Sequence, residues 1–200
     1  MNDLLLAISL GDCHVRKDGQ IDIVHSSKQE EYIKWKHDVL APHIPVNRVT
    51  PFTNNGFPGL KLTSGPSKEM AKIREMLYID GVKTYSDEVV SKMTPLCWAL
   101  LYLDDGSLIS RKNKEHTKVT AHEIIISICS DEEAECQRLI DELSESYGIK
   151  FTIKRNYKSS RDKTYYSIRC GTKNARMFID MIHPVVPKLK CFEQTKLRSF

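Results

Sequence analysis

Apolar positions along the chain keep two rhythms. Residues 5–12 and 98–106 are apolar helical runs, Leu5-Leu6-Ala7-Ile8-Ser9-Leu10-Gly11-Asp12 and Trp98-Ala99-Leu100-Leu101-Tyr102-Leu103-Asp104-Asp105-Gly106, each ending on an acid. Elsewhere a period of two predicts strands. In residues 150–154, Phe151 and Ile153 share one face while Lys150, Thr152 and Lys154 share the other. Tyr165, Ser167 and Arg169 likewise oppose Tyr166, Ile168 and Cys170, and Lys61 and Thr63 oppose Leu60 and Leu62. The run Ile124-Ile125-Ile126 does not alternate, which leaves the facing of the first hairpin of each half open.

The segments around the two runs repeat as well. After Asp12 come a turn at Lys17-Asp18-Gly19 and a capped helix start at residues 26–31, and after Asp105 come Arg111-Lys112-Asn113 and a matching start at residues 130–133. Ser or Asp ahead of acids suits the first turn of a helix. From Ser26 to Gly65 is 39 positions and from Ser130 to Gly171 is 41, and each of those glycines opens a further helix. The expectation is an α+β fold in which one α-β-β-α-β-β-α pattern is used twice, with halves at residues 1–92 and 93–200. Two such units build one pseudo-twofold molecule, since an extended array needs three or more.

Composition changes this picture little. Hydrophobic residues make up 40% and charged residues 28%, as in ordinary globular proteins. The six cysteines are scattered without a C-x-x-C pair, which argues against zinc and for a reducing compartment, bacterial cytoplasm or organelle matrix. Met1-Asn2-Asp3 lacks the basic region of a signal peptide, and no apolar run is long enough for a bilayer, so a soluble protein without a membrane partner is expected. Trp35 and Trp98 read as core, the histidines show no ligand spacing, and the tail after Phe192 has no assigned role.

A net charge of +4 is modest, but its distribution is not random. Arg16, Lys17, Arg48 and Lys61 in the first half, and Arg111, Lys112, Lys114, Lys154, Lys158, Arg161 and Arg169 in the second, fall in predicted strands and turns. Acids gather in helices such as residues 131–145. This segregation predicts a basic sheet surface, interleaved with Thr50, Thr63, Asn113, Thr152, Tyr165 and Ser167, that contacts phosphates and base edges of duplex DNA.

Asp12 and Asp105 carry the candidate chemistry. An acid at the end of an apolar helix meets the negative end of the helix dipole, and an unpaired buried carboxylate is costly. Placed there twice, the acids point to metal binding.

The residues 7–12 and 100–106, with Thr94-Pro95 ahead of the second helix, resemble the two motif copies of a single-chain LAGLIDADG homing endonuclease of the intron-encoded branch. The resemblance runs from about Leu4 to Leu197. The usual motif glycine is Ala7 in one copy and Leu100 in the other, so the helix interface must be repacked. The resemblance implies antiparallel sheets forming a saddle over DNA, with the motif helices at its centre presenting Asp12 and Asp105 to the two scissile phosphates. It implies a monomeric, site-specific double-strand DNA endonuclease that cuts across the minor groove and leaves short 3′ overhangs. Mg²⁺ is the implied cofactor, with Mn²⁺ substituting and Ca²⁺ supporting binding without cleavage. Gly11 and Asp104 adjoin the acids in the implied metal-binding set, Asp104 as a helix-end acid rather than a direct ligand. Lys83 and Lys190 stand at equivalent places, 18 and 19 positions after Gly65 and Gly171, where the family carries active-site lysines, with Lys188 competing for the second. An intron RNA maturase, with its own intron RNA as partner, and a non-catalytic DNA-binding regulator are the alternatives on the same fold.

Overall fold

A computed structural model describes residues 2–54, 56–115, 117–128, 130, 132–158, 162–193, 196 and 197. The first half runs α1 (Asp3–Leu10), β1 (Cys13–Val15), β2 (Ile21–Ser26), α2 (Glu30–Leu40), β3 (Thr50–Asn54), β4 (Phe57–Thr63), α3 (Lys68–Leu77), β5 (Tyr78–Ile79), β6 (Val82–Lys83) and α4 (Asp87–Val90). The second runs α5 (Pro95–Asp105), β7 (Gly106–Lys112), β8 (Val119–Ser127), α6 (Glu133–Tyr147), β9 (Thr152–Lys158), β10 (Lys163–Gly171), α7 (Thr172–Ile182) and α8 (Lys190–Glu193).

Local chemistry starts both motif helices. The Asn2 side chain accepts from the Leu4 N–H at the head of α1, and Thr94 accepts from Cys97 N–H at the head of α5, where Pro95 forfeits no needed donor. The two helices pack against each other, and Ala7 and Leu100 are both fully buried.

Each half then folds its strands into a four-stranded antiparallel sheet of the same spatial order, β1-β2-β4-β3 and β7-β8-β10-β9. Register settles the first hairpins. Cys13 lies opposite Ile23 and Gly106 opposite Ile126, so Ile21, Ile23 and His25 turn inward in one sheet and Ile124 and Ile126 in the other. Asp22 and Val24, and Glu123 and Ile125, are left on the open faces.

Helices cover the inner faces with matching spacing. Tyr32, Ile33, Lys36 and Leu40 are buried in α2, and Glu135, Cys136, Leu139 and Leu143 in α6. The first half adds the hairpin β5-β6, whose turn residues Asp80 and Gly81 both have positive φ, 50° and 82°. An Asp-Gly pair is suited to that turn, which carries Lys83 back toward α1. None of the described cysteines forms a disulfide, and no helix among the described residues is long and apolar enough to cross a membrane.

Candidate functional site

The C-terminal ends of α1 and α5 meet in one place and each is tied by a lysine. Helix ends leave carbonyls without partners and carry partial negative charge. Lys83 Nζ donates to the carbonyls of Leu10 (3.3 Å), Gly11 (2.7 Å) and Cys13 (2.9 Å). Lys196 Nζ does the same at the other end, donating to Tyr102 (3.4 Å), Leu103 (2.6 Å) and Asp104 (3.3 Å). Tyrosines join both ends: Tyr85 donates to Leu10 O at 3.0 Å, and Tyr102 donates to Lys196 O at 2.8 Å.

Between the two ends lie three acids. Asp104 is buried with no side-chain exposure, and both its oxygens accept from Lys36 Nζ, at 2.8 and 2.9 Å. It also accepts from the Asp12 N–H at 3.0 Å. A Cβ on Gly11 would lie 2.2 Å from the same carboxylate, so this approach requires glycine. Asp12 remains partly exposed, and His25 Nδ1 stands 3.5 Å from its Oδ2. The Nε2 of His25 is buried with no protein partner among the described residues.

These contacts set the charges. Burial pushes Asp104 up, but the charge of Lys36 and the hydrogen bonds from Lys36 and the Asp12 N–H pull it down, and the net shift is down. Breaking such a buried pair by removing one partner costs about 3–5 kcal/mol. Asp105 has no comparable partner among the described residues: burial, then the charges of Asp12 and Asp104, push it up to about 7. Asp12 is raised by burial and by Asp104. Burial, helped by the Lys36 charge, holds His25 down at about 3, so it is neutral at pH 7. Burial also lowers both Lys83 and Lys196.

The donor set fits a divalent cation. Carboxylate oxygens are hard ligands, and Asp105 sits among like charges that a cation would relieve. Asp12, His25 and Asp104 present ligand atoms within 4.8 Å of one another, but Lys36 already occupies both oxygens of Asp104. Asp12 and Asp105 are therefore the carboxylates left for an ion.

Several sequence expectations land elsewhere. Lys190 is exposed at the start of α8, and Lys188 is exposed before it, while Lys196 occupies the place matching Lys83. The spacing count from Gly171 missed this because, after α7, the counterpart of α3, the second half has a turn and α8 where the first has the short β5-β6 hairpin, which lengthens the path. His25 and Lys36 were also missed. Their signal is a polar side chain at a core-facing position: His25 continues the inward set Ile21 and Ile23, and Lys36 falls on the apolar stripe of α2.

On the open faces, Thr50, Lys61 and Thr63 share one sheet, and Arg111, Thr152, Lys154, Tyr165, Ser167 and Arg169 the other. One acid in each sheet holds the basic arms. Asp22 receives Arg16 Nε (2.7 Å) and Lys61 (2.9 Å), and Glu123 receives Arg111 (2.8 Å) and Arg169 (3.4 Å). Ser167 is buried beneath Asn156, which donates to it at 2.9 Å. Asn113 is spent inside its loop, accepting from the Thr117 and Lys118 N–H groups. Lys17 is exposed in the β1-β2 turn, and Lys112 and Lys114 are exposed at the end of β7. Arg48 borders a cleft against α2 with Glu30, Lys34 and His37. Lys158 ends β9, and Arg161 lies outside the described residues.

Comparison with known proteins converges on one family. A profile of the LAGLIDADG DNA endonuclease family matches residues 5–178. Among curated proteins, the chain is 28% identical to a protein named RecA from Mycobacterium gastri over 176 residues, 85% of this chain and 41% of that one. It is 26% identical to RecA of Mycolicibacterium flavescens over 163 residues, 80% of this chain and 36% of that one. It thus spans roughly two fifths of the curated relatives it matches. The structure of the homing endonuclease I-WcaI bound to its DNA recognition sequence is similar with a TM-score of 0.73, covering 93% of this chain and 81% of that one at 17% identity. Full-length DUF199/WhiA from Thermatoga maritima is similar at 0.52, covering 96% and 56% at 15% identity. At these identities the likeness to solved structures is one of fold. Because the profile takes in both helix ends and both four-stranded sheets, the chain belongs to the LAGLIDADG DNA endonuclease family.

Proposed function

We propose that this protein is a metal-dependent endonuclease that cuts both strands of duplex DNA at one long site. The observation that carries the reading is the pair of adjoining helix ends, each bearing an acid and each tied by a half-buried lysine. Asp12 and Asp105 would hold the ion, Mg²⁺ in the first instance, with Mn²⁺ substituting and Ca²⁺ supporting binding only. What such an ion supplies is charge stabilisation on the phosphate and a more acidic water.

The chain's own residues do the rest. Lys83 and Lys196 hold their helix ends in place and set positive charge beside each acid, where negative charge develops on the phosphate. His25, neutral and with its Nε2 unpartnered, orients a water beside Asp12. The two open faces bind the duplex through Lys61, Thr63, Lys154 and the arms held by Asp22 and Glu123. One chain carries both acids, so a single copy suffices for both strands.

The test is direct. The protein and its Asp12→Asn variant are incubated with Mg²⁺ and DNA from a related genome lacking this gene, and new ends are mapped by sequencing. A single dominant break with 3′ overhangs, absent with the variant, is expected. No break, with DNA or intron RNA still shifted in a gel, would overturn the nuclease reading in favour of a binding protein.

A further inference from the structure

The acid at the end of α5 is held by the helix itself, which runs through Asp105. α1 stops at Leu10, and Asp12 lies beyond it in a bend. The ladder of α1 does not reach that residue, so its place must be fixed from outside. What fixes it comes from the opposite motif: the Asp12 N–H donates to Asp104 Oδ2, and Asp104 is gripped through both oxygens by Lys36 of α2. Lys36 Nζ also sits 4.4 Å from the centre of the Tyr32 ring. The chain of contacts runs from α2 of the first half through α5 of the second and back to Asp12.

Among the described residues no matching chain serves Asp105. The residue that corresponds to Asp104 at the end of α1 is Gly11, just past the helix, which has no side chain. The residue that corresponds to Lys36 is Leu139, because the buried sets Tyr32, Ile33, Lys36, Leu40 and Glu135, Cys136, Leu139, Leu143 have identical spacing. A lysine and an aspartate thus occupy buried positions whose counterparts need neither.

We propose that Lys36 and Asp104 are positioning residues for one acid alone, so that the buried pair governs cleavage of the strand Asp12 serves and leaves the strand of Asp105 largely untouched. This rests on the reading of Asp12 and Asp105 as the acids of the two strands. Asp104 acts here as an acceptor for one backbone N–H, and its charge is needed only because Lys36 is opposite.

The comparison that tests this uses two neutral variants. Lys36→Met/Asp104→Asn keeps an acceptor for the Asp12 N–H, and Lys36→Met/Asp104→Leu removes it. Neither leaves an unpaired buried charge, and replacing a buried ion pair by neutral groups is often tolerated. Each is given Mg²⁺ and a duplex carrying the mapped site, with the two strands labelled separately, and thermal melting and a gel shift in Ca²⁺ report folding and binding. With the Leu variant one strand should slow by about tenfold to a hundredfold more than the other, as a small misplacement of a reacting group does, and nicked product should accumulate. The Asn variant should cut both strands in nearly the wild-type ratio. Equal slowing of both strands in the Leu variant, or the same strand bias in both variants, would overturn the proposal, and so would loss of folding in both. Failure of the wild-type protein to cut at all would instead sink the endonuclease reading.

Discussion

At the end of α5 the backbone of Asp105 belongs to the helix, while at the end of α1 the helix is already over when Asp12 is reached. The first end depends on a lysine from the second strand of the β5-β6 hairpin, a buried aspartate from the other half and a histidine on its own sheet. The second depends, among the described residues, on Lys196 from the tail and the Tyr102 hydroxyl that donates to it. Similar helices with similar acids are therefore supported in unlike ways, and the difference is electrostatic as well as geometric. Asp12 keeps partial access to solvent, whereas Asp105 is pressed among like charges and pushed up to about 7. A duplicated architecture fixes where the two acids go, but it does not require that the polar groups behind them match.

The strongest way to break this comparison is to remove either acid. Asp12→Asn and Asp105→Asn should each lower double-strand cleavage by about a thousandfold or more, which corresponds to several kcal/mol of lost transition-state stabilisation. DNA binding in Ca²⁺ should persist in a gel shift. Near wild-type cutting by either variant would show that the two ends are not a paired site.

The lysines come next. Lys83→Met and Lys196→Met should each slow cleavage by about a hundredfold, the lower end of the range seen when one electrostatic donor is removed. Lys196→Met should fall well below Lys190→Met in single-turnover rates. The reverse order would return the second position to α8 and remove the match between the two helix ends.

That pair of lysines also marks what the sequence makes legible. Period-two alternation in residues 150–154 and 165–170 placed Thr152, Lys154, Tyr165 and Arg169 on the open face, and the twin acid-ending runs identified both motif helices. Both signals are local. Lys196 was missed because its contact spans more than ninety positions and follows segments whose lengths differ between the halves. Asp104 was picked out as a helix-end acid, but its partner Lys36 was missed for a related reason: an ion pair between α2 and α5 leaves no mark in the periodicity of either, beyond a charge where a leucine would fit. Ser167 has the right parity for the open face but is buried there by Asn156, which alternation cannot register.

A smaller effect sharpens the electrostatic side of the comparison. In the metal-free protein Asp105 holds its proton up to about 7, against 3.8 for an ordinary aspartate. Between those values the folded state binds a proton that the unfolded state has lost, so stability falls as pH rises through that window. Asp105→Asn removes the effect. With EDTA present, the variant should melt above wild type at pH 8, and the gain should fade toward pH 4. A gain that does not depend on pH would mean that Asp105 is not crowded by charge.

The smallest expected effects lie on the sheets, where the two halves do match. Asp22 holds Arg16 and Lys61, and Glu123 holds Arg111 and Arg169, each acid lying deeper than the arms it receives. Exposed ion pairs of this kind contribute about 0–1 kcal/mol to stability, so Asp22→Asn and Glu123→Gln should melt close to wild type. Their effect should appear in binding. On the proposed function each removes a negative charge from a surface that would face phosphates and releases two cations, so affinity at low salt should rise and the dependence of log K on log salt should steepen. Lys154→Ala should do the opposite, flattening that slope by about 0.9 because one phosphate is no longer neutralised. If Glu123→Gln steepens the slope and Asp22→Asn does not, the asymmetry of the helix ends extends to the sheets. If both steepen it alike, the unequal treatment of the two halves is confined to the acids at the centre.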